Sequence, residues 1–298
     1  MIGYLLYLLL RGFSLIINLL PEGIALWVGR QLGRGMYYLD LEHRRVALQN
    51  LHLAFGQEKS KSEILNIAKK SFQNLGMTAI EFFRLPKMDV ETFKKKVTIE
   101  GLEIVKKALE GKKGILLLLS HFGNWELMGL MSKVLGNPIT VIARPIKKNK
   151  RVHQLVAEMR SGTGLEVIST EKASRKAIRT LSQNRLVGIL IDQRAKRSEG
   201  VWVDFFGKKA SSTPALAVLA MRTKAPILPV FMIRNGYQKH RLIIQEPLQL
   251  METGDVKKDV ETNTQLLHHT LESMIRRYPD QWFWVHRRWE RKKRVYHR

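Results

Sequence analysis

Short apolar segments alternate with amphipathic ones from residue 115 onward. Short segments rich in apolar residues between polar ones are typical of buried strands. We expect strands at Ile115–Leu119, Ile139–Ala143, Leu165–Ile168, Leu186–Ile191, Ile227–Ile233 and Leu242–Gln245. Helical spacing of apolar residues marks Leu127–Leu135, Asn149–Ser161, Glu171–Gln183, Pro214–Arg222 and Val256–Tyr278. This alternation predicts an α/β fold, a single domain with a central, mostly parallel or mixed sheet flanked by helices.

The residues before this region have a helical pattern. Between residues 30 and 54, leucine and valine recur at helical spacing among arginines. Ser60-Lys61-Ser62-Glu63 has the pattern of a capping box, in which the serine and the glutamate each bond the other's backbone N–H. We therefore expect a helix to begin here and to end at Pro86.

The first twenty residues are almost wholly apolar, interrupted by Arg11 and Asn18 and stopped by Pro21. On an insertion scale their apolar side chains contribute about −4 to −7 kcal/mol, against about +2.5 to +3.5 kcal/mol for a central arginine. We predict an N-terminal membrane-anchoring helix over residues 1–29, spanning or steeply inserted, followed by the main domain over residues 30–298. A helix buried in the core is the alternative. The arginines that follow would keep the main domain on the cytoplasmic side.

Charge is the most unusual feature of the composition. There are 51 Lys and Arg against 26 Asp and Glu, which gives a net charge of +25 in 298 residues. Such an excess indicates an acidic partner: nucleic acid, an anionic membrane surface, or an acidic protein or phosphorylated substrate. The chain has no cysteine, which excludes disulfides, thiolate metal sites and a cysteine nucleophile.

A histidine and a carboxylate lie five residues apart after the first predicted strand, in Ser120-His121-Phe122-Gly123-Asn124-Trp125-Glu126. Asn124 suits a helix N-cap. Residues i and i+5 of a helix point about 140° apart, so His121 and Glu126 can meet only if His121 lies in the turn. A carboxylate bonded to one ring nitrogen would fix the tautomer and leave the other nitrogen as a base. We hypothesise a catalytic His121–Glu126 pair; a capping histidine and a glutamate that suits the helix dipole are the alternative.

Further polar groups follow other predicted strands, where ligands gather in α/β sheets. Arg144 follows one strand, and Arg160 lies in the next helix; both could bind phosphate. Asp192 follows another strand and could position His121 or bind a substrate hydroxyl, with Arg194 beside it. A solvated basic loop and a surface ion pair between Asp192 and Arg194 are the alternatives.

Thr213 precedes a proline at a predicted helix start, shortly after the apolar Phe205-Phe206-Gly207. This combination could bind an acyl chain and an anion, and a packed loop is the alternative. The predicted substrate-binding residues are thus Asn124, Arg144, Arg160, Asp192, Arg194 and Thr213.

Several motifs of other enzyme classes are absent from the sequence. It has no phosphate-binding G-x-x-x-x-G-K-[ST] loop, no G-x-G-x-x-G after a strand, no G-x-S-x-G around Ser120 and no H-E-x-x-H. Nothing near His121 supplies further metal ligands. We therefore expect neither a metal nor a cofactor.

The segment Gln281–Arg291 interleaves tryptophans with basic residues. Both nucleic-acid stacking and a membrane interface use such sets. Because the N-terminus is also apolar, we interpret this segment as a contact with membrane lipids and expect no nucleic acid.

Taken in order, these motifs resemble the bacterial late lipid A acyltransferases, within the lysophospholipid acyltransferase superfamily. Glu126 stands where aspartate is usual in the wider superfamily. The residues that carry the resemblance are His121–Glu126, Arg144-Pro145, Asp192-Gln193-Arg194, Phe205-Phe206-Gly207, Thr213-Pro214, Pro226–Val230 and Pro279–Trp289.

The resemblance implies an inner-membrane O-acyltransferase that works on the cytoplasmic side. It would move a fatty acyl chain from acyl carrier protein to a hydroxyl of a phosphorylated glycolipid, a lipid A precursor of the Kdo2-lipid IVA type. His121 would be the general base, Glu126 would orient it, and Arg144 and Arg160 would hold anionic groups. The alternatives are an acyl-CoA-dependent enzyme for another lysophospholipid or glycolipid, and a membrane-attached nucleic-acid-binding protein.

Overall fold

The structure, a computed structural model, describes residues 2–143, 150–169 and 173–289. The helices are α1 (Ile2–Leu19), α2 (Glu22–Leu39), α3 (Leu41–Phe55), α4 (Lys61–Arg84), α5 (Val90–Lys96), α6 (Leu102–Glu110), α7 (Met131–Leu135), α8 (Lys150–Ser161), α9 (Ala173–Ser182), α10 (Ala215–Thr223) and α11 (Val256–Arg277). The strands are β1 (Val97–Glu100), β2 (Ile115–Leu119), β3 (Ile139–Ala143), β4 (Glu166–Ser169), β5 (Leu186–Leu190), β6 (Val201–Phe205), β7 (Lys208–Ser212), β8 (Ile227–Asn235) and β9 (Lys239–Ile244). Segments of 3₁₀ helix cover Leu85–Lys87, Trp125–Leu130 and Pro279–Gln281.

Seven strands form one sheet in the order β1-β9-β8-β2-β5-β3-β4, and β6 and β7 form a separate antiparallel hairpin. Neighbours in the large sheet are parallel except β8 and β9. The predicted α/β domain with a mostly parallel sheet is therefore confirmed. Because β2 lies beside β5, the residues that follow these two strands meet at the same edge of the sheet.

The central strand β2 is buried along its whole length. Leu116 and Leu118 belong to a core on one face of the sheet, which the tryptophans of the C-terminal segment also enter. Ile115, Leu117 and Leu119 belong to the core on the other face. Burial of both faces explains why β2 is a continuous apolar run rather than an alternating one.

The N-terminal helices pack on the rest of the domain. Arg11, the charged interruption of α1, donates to Glu158 on α8 at 2.7 Å, and Asn18 donates to the carbonyl of Phe83 at 2.9 Å. Along the described parts of the chain, no helix combines the length and the apolar character needed to cross a membrane. The prediction of a spanning N-terminal helix is therefore not supported. The expected boundary between residues 29 and 30 falls inside α2.

Helix α2 crosses α4 at a seam of small residues. A methyl group at Gly33 would overlap the carbonyl oxygen of Phe72, and one at Gly29 would lie 2.8 Å from the carbonyl oxygen of Gly76. The two backbones can approach this closely only because these positions carry no side chain. The capping box predicted at Ser60 and Glu63 is confirmed at the start of α4.

Two local predictions were wrong. The segment after Asn124 is a 3₁₀ helix followed by the short α7, not one α-helix, and the asparagine side chain caps nothing there.

The tryptophans of the C-terminal segment lie in the core: Trp282 is 3% exposed, Trp284 1% and Trp289 6%. They pack on the hairpin residues Phe205 and Phe206, so these rings are not available to stack on nucleic acid or to anchor in a membrane.

Candidate active site

The turn that carries His121 is held tightly against its surroundings. Gly123 has φ +56°, and a side chain there would overlap the carbonyl oxygen of Met232 on β8. Its N–H donates to the carbonyl of Gln281 at 2.8 Å, and the N–H of Phe283 donates to the carbonyl of His121 at 3.1 Å. His121 therefore lies in the turn at the carboxyl edge of the sheet, fixed by the C-terminal segment.

The carboxylate bonded to His121 belongs to Asp192. Its Oδ1 lies 2.9 Å from Nδ1 of the ring, and its Oδ2 accepts from the backbone N–H of His121 and from Nε1 of Trp282, each at 2.9 Å. Burial by itself raises the pKa of Asp192, but the charge and hydrogen bonds of His121, together with the Trp282 donor, lower the pKa to about 2. An ionised Asp192 fixes the proton of a neutral His121 on Nδ1, which leaves Nε2 as the free base.

The environment of the ring raises its basicity. Trp125 and Phe283 flank His121 at ring distances of 5.2 and 5.7 Å. Burial by itself lowers the pKa of His121, but the charge and hydrogen bond of Asp192 and the charge of Glu126 outweigh it, so the pKa is raised. Gln193 Nε2 lies 3.4 Å from His121 Nε2.

Glu126 is bonded to Arg160 rather than to His121. Arg160 donates to both carboxylate oxygens, with Nε to Oε2 at 2.9 Å and Nη2 to Oε1 at 2.6 Å. Within the described ranges, no hydrogen bond joins Glu126 to His121, so the expected contact between them was wrong. The reason is local: Glu126 lies in the first turn of the 3₁₀ helix and points to α8, while Asp192 occupies Nδ1. Arg160 does reach this region, as the sequence suggested.

Three other predicted site residues make no contact with the ring: Asn124, Arg194 and Thr213. Asn124 is wholly buried and donates to Glu81 on α4 at 2.7 Å, which places it behind the turn rather than on a substrate surface. Arg194 is exposed, and its backbone N–H donates to His286 at 3.1 Å. Helix α10 begins at Ala215, one residue later than predicted. The hydroxyl of Thr213 accepts from the N–H of Ala215. Arg144 lies outside the described residues.

A buried ion pair supports the turn from behind, and sequence reasoning missed it. Arg234 on β8 bonds both carboxylate oxygens of Glu81, which also accepts from Asn124. His240 lies 3.5 Å from the same carboxylate. Glu81 lies on the apolar face of the predicted helix, and a glutamate in that position could have indicated a buried basic partner such as Arg234.

An apolar cavity of about 130 Å³ opens beside His121. Its polar lining includes Glu126 and Arg160 at the end near the ring, and its apolar walls come from one face of the sheet. These wall residues are Leu117, Leu119, Ile139, Val141, Ala143, Leu165, Val167, Leu190 and Val230, with Trp125, Met128 and Met131 from the segment after the turn. Apolar walls beside a few polar groups suit an apolar ligand rather than a polar one. In the described part of the chain, no cluster of side chains could hold a metal ion.

Comparisons with known proteins identify the family of the chain. The family model "Bacterial lipid A biosynthesis acyltransferase" matches residues 1–291. The chain is 28% identical to the phosphatidylinositol mannoside acyltransferase of Mycolicibacterium smegmatis over 213 residues, 70% of this chain and 67% of that protein. It is 25% identical to the lipid A biosynthesis palmitoleoyltransferase of Escherichia coli over 287 residues, 91% of this chain and 86% of that protein.

A crystal structure of the 1-acyl-sn-glycerophosphate acyltransferase of Thermotoga maritima is also similar to this chain. It aligns over 82% of this chain and 95% of its own, with 16% sequence identity and a TM-score of 0.34. At that score the structural match carries no argument, and the family rests on the sequence comparisons.

Proposed function

Because the chain belongs to the bacterial lipid A biosynthesis acyltransferase family and is an O-acyltransferase, we propose a specific reaction for it. It transfers a fatty acyl chain from acyl carrier protein to a hydroxyl of a Kdo2-lipid IVA type precursor. The observation that carries the proposal is a His121–Asp192 pair whose histidine lines an apolar cavity. The net charge of +25 is complementary to an acidic carrier protein, a phosphorylated acceptor and an anionic bilayer.

In this reaction His121 is the general base. Its Nε2 takes the proton of the acceptor hydroxyl as the oxygen attacks the thioester carbonyl. The carbon–sulfur bond of the resulting tetrahedral intermediate then breaks, and the imidazolium returns the proton to the leaving thiolate. Asp192 holds the tautomer and stabilises the imidazolium between these two steps. No covalent enzyme intermediate is required.

Arg160 and Glu126 act as a unit in this proposal. The guanidinium of Arg160 lies in the cavity lining near His121, where a cation stabilises negative charge that develops on the carbonyl oxygen or is carried by the substrate. Glu126 holds Arg160 in place with two hydrogen bonds. Its negative charge also favours the protonated form of His121.

We propose the same catalysis with a different acceptor and donor as the second candidate. The similarity to a phosphatidylinositol mannoside acyltransferase favours it. To separate the two, the purified full chain is given palmitoyl-acyl carrier protein or palmitoyl-CoA with Kdo2-lipid IVA or phosphatidylinositol mannoside, and products are identified by mass spectrometry. Acylated Kdo2-lipid IVA formed from the carrier protein supports the first candidate. Product formed only on the mannoside replaces it with the second, and the absence of any product contradicts both.

Membrane attachment in this proposal uses the surface of α1 and α2. Large apolar side chains are exposed there: Tyr4, Leu5, Leu6, Leu8, Leu9, Leu15, Ile16, Leu19, Ile24, Trp27, Leu32, Met36, Tyr38 and Leu39. An exposed apolar surface of this extent is typical of contact with a bilayer. We expect the protein to sediment with vesicles of phosphatidylglycerol and phosphatidylethanolamine. Full recovery in the supernatant at all lipid concentrations would contradict this placement.

The cavity predicts how acyl-chain length is selected. Leu165 lines the wall two residues before Val167, about 7 Å farther from the carboxyl edge of the sheet. Leu165→Phe would shorten the cavity, so we expect the ratio of kcat/KM for long against short acyl donors to fall about tenfold or more, since one methylene is worth about 10–200-fold. The measurement compares C12 and C16 donors in competition.

The control is Leu53→Phe, which makes the same change at an exposed position of α3 and should leave this ratio of kcat/KM values unchanged. An unchanged ratio in Leu165→Phe would exclude this cavity as the site of the acyl chain.

A further inference from the structure

Arg288 is a buried cation that the proposed reaction does not use directly. It is 0% exposed, donates from Nη1 to the carbonyl of Ser211 at 2.7 Å, and is bonded through Nη2 to the hydroxyl of Ser212. Over the parts of the chain that the structure describes, no carboxylate is hydrogen-bonded to it. Burial lowers the pKa of Arg288 to about 10, and the charge of Asp192 opposes that shift. At neutral pH Arg288 is therefore a permanent positive charge inside the core.

A continuous set of ring contacts joins Arg288 to the His121–Asp192 pair. The guanidinium lies 5.2 Å from the centre of the Phe205 ring, and that ring lies 5.6 Å from the ring of Trp282. Trp282 in turn donates to Oδ2 of Asp192 at 2.9 Å. Two aromatic rings thus lie between the cation and the carboxylate along this path, and the two charges act on each other through space rather than by a direct ion pair.

The negative charge of Asp192 needs a positive counter-charge when His121 is neutral and can act as a base. A neutral His121 leaves Asp192 as a buried anion whose bonded partners, N–H groups of His121 and Trp282, carry no net charge. The nearby histidines do not supply one. Burial and the charge of Arg288 lower the pKa of His268 on α11 to about 3 and that of His286 to about 4, so both are neutral at pH 7.

We propose that Arg288 is a positioning residue that acts through Asp192: it is the permanent counter-charge that lets the carboxylate stay ionised while His121 is neutral. The inference rests on the proposed role of His121 as the base. Without Arg288, the pair would balance its charge by taking up a proton on His121. Besides Asp192, the charged groups that act on His121 are Glu126 and Arg160. They are bonded to each other, and neither is hydrogen-bonded to Arg288.

The test compares Arg288→Met and Arg288→Lys with Arg287→Met. Arg287 is the neighbouring arginine, but it is half exposed and pairs with Glu42. The titration of His121 is followed by NMR in the intact protein, with its signal assigned from the His121→Gln spectrum. We expect Arg288→Met to raise the midpoint by about one pH unit, a tenfold change in the proton-binding constant of His121. Arg288→Lys should shift it less, and Arg287→Met should not shift it.

The same variants are assayed for acyl transfer between pH 5 and 9. In Arg288→Met the rise of kcat/KM with pH should move upward by the same interval, with the wild-type rate recovered at high pH. The proposal would be overturned if kcat/KM of Arg288→Met fell by the same factor at all pH values. It would also be overturned if the titration midpoint of His121 did not move in the folded variant. A midpoint that moves while His121→Gln remains fully active keeps the electrostatic role and rejects the base assignment instead. Arg288→Gln, which keeps a donor for Ser211, serves if the methionine variant does not fold.

Discussion

Replacement of His121 by alanine is expected to lower kcat/KM for acyl transfer by about 10²–10⁴-fold, the usual contribution of a positioned general base. The loss follows because Asp192 holds Nδ1 of His121 at 2.9 Å, which leaves Nε2 as the unprotonated ring nitrogen of a residue that lines the cavity. Initial rates with saturating acceptor and varied acyl donor measure the change. Because the base must be neutral, the wild-type rate should rise with pH through a midpoint above the ordinary histidine value, as the raised pKa of His121 requires.

His269→Ala is the matched control, since His269 is an exposed histidine on α11. It should keep the wild-type rate and the same pH profile. Asp192→Asn should lose activity to a similar order because the amide no longer fixes the tautomer or stabilises the imidazolium. A folded His121→Ala protein with undiminished kcat/KM would refute the mechanism while leaving the family assignment intact.

Removal of Glu81 is expected to have the largest effect on stability. Glu81→Ala leaves Arg234 buried without its carboxylate, and Asn124 loses the acceptor that lies 2.7 Å from its side chain. Breaking a buried pair on one side costs about 3–5 kcal/mol in the free energy of unfolding. Urea denaturation followed by far-UV circular dichroism measures that free energy.

Two further variants separate the charge effect from simple loss of packing. The double variant Glu81→Leu with Arg234→Met removes both charges and should recover much of the stability, because apolar replacements of buried pairs are often neutral. Glu91→Ala removes an exposed glutamate that lies 3.5 Å from Lys94 and should cost less than about 1 kcal/mol. If Glu81→Ala is no more destabilising than Glu91→Ala, the buried pair does not hold the turn.

The central strands β2, β3, β5 and β8 could be predicted because their signal is local. Each lies in a short apolar run, and burial on both faces removes any competing periodicity. The strands that escaped prediction are β1, β6 and β7. β1 reads Val-Thr-Ile-Glu and β7 reads Lys-Lys-Ala-Ser-Ser, so neither is an apolar run, and β6 reads Val-Trp-Val-Asp-Phe, which is largely apolar but is not buried on both faces. The pairing of β6 with β7 is stabilised by contacts with α11, including two hydrogen bonds between the amide of Gln265 and the backbone of Asp204.

The partner of His121 could not be decided by spacing. Glu126 is near in the chain, whereas Asp192 is near in space because β5 pairs with β2, and strand order is a property of the whole sheet. The tryptophan-rich segment shows the same limit in another form. An alternation of aromatic and basic residues is compatible with a membrane interface and with burial in the core. The contacts of Trp282 and Trp284 with the rings of Phe205 and Phe206 show that this segment is buried.

The dependence of the His121 turn on the C-terminal segment sets the order in which this protein becomes active during synthesis. His121 leaves the ribosome about 160 residues ahead of Gln281, Trp282 and Phe283, which hold its turn, its aspartate and its ring. A nascent chain can therefore pair β2 with β5 before the turn that carries the proposed base is held in place. Translation that stops short of Gln281 yields a product that contains His121 and Asp192 but lacks the segment that holds the turn.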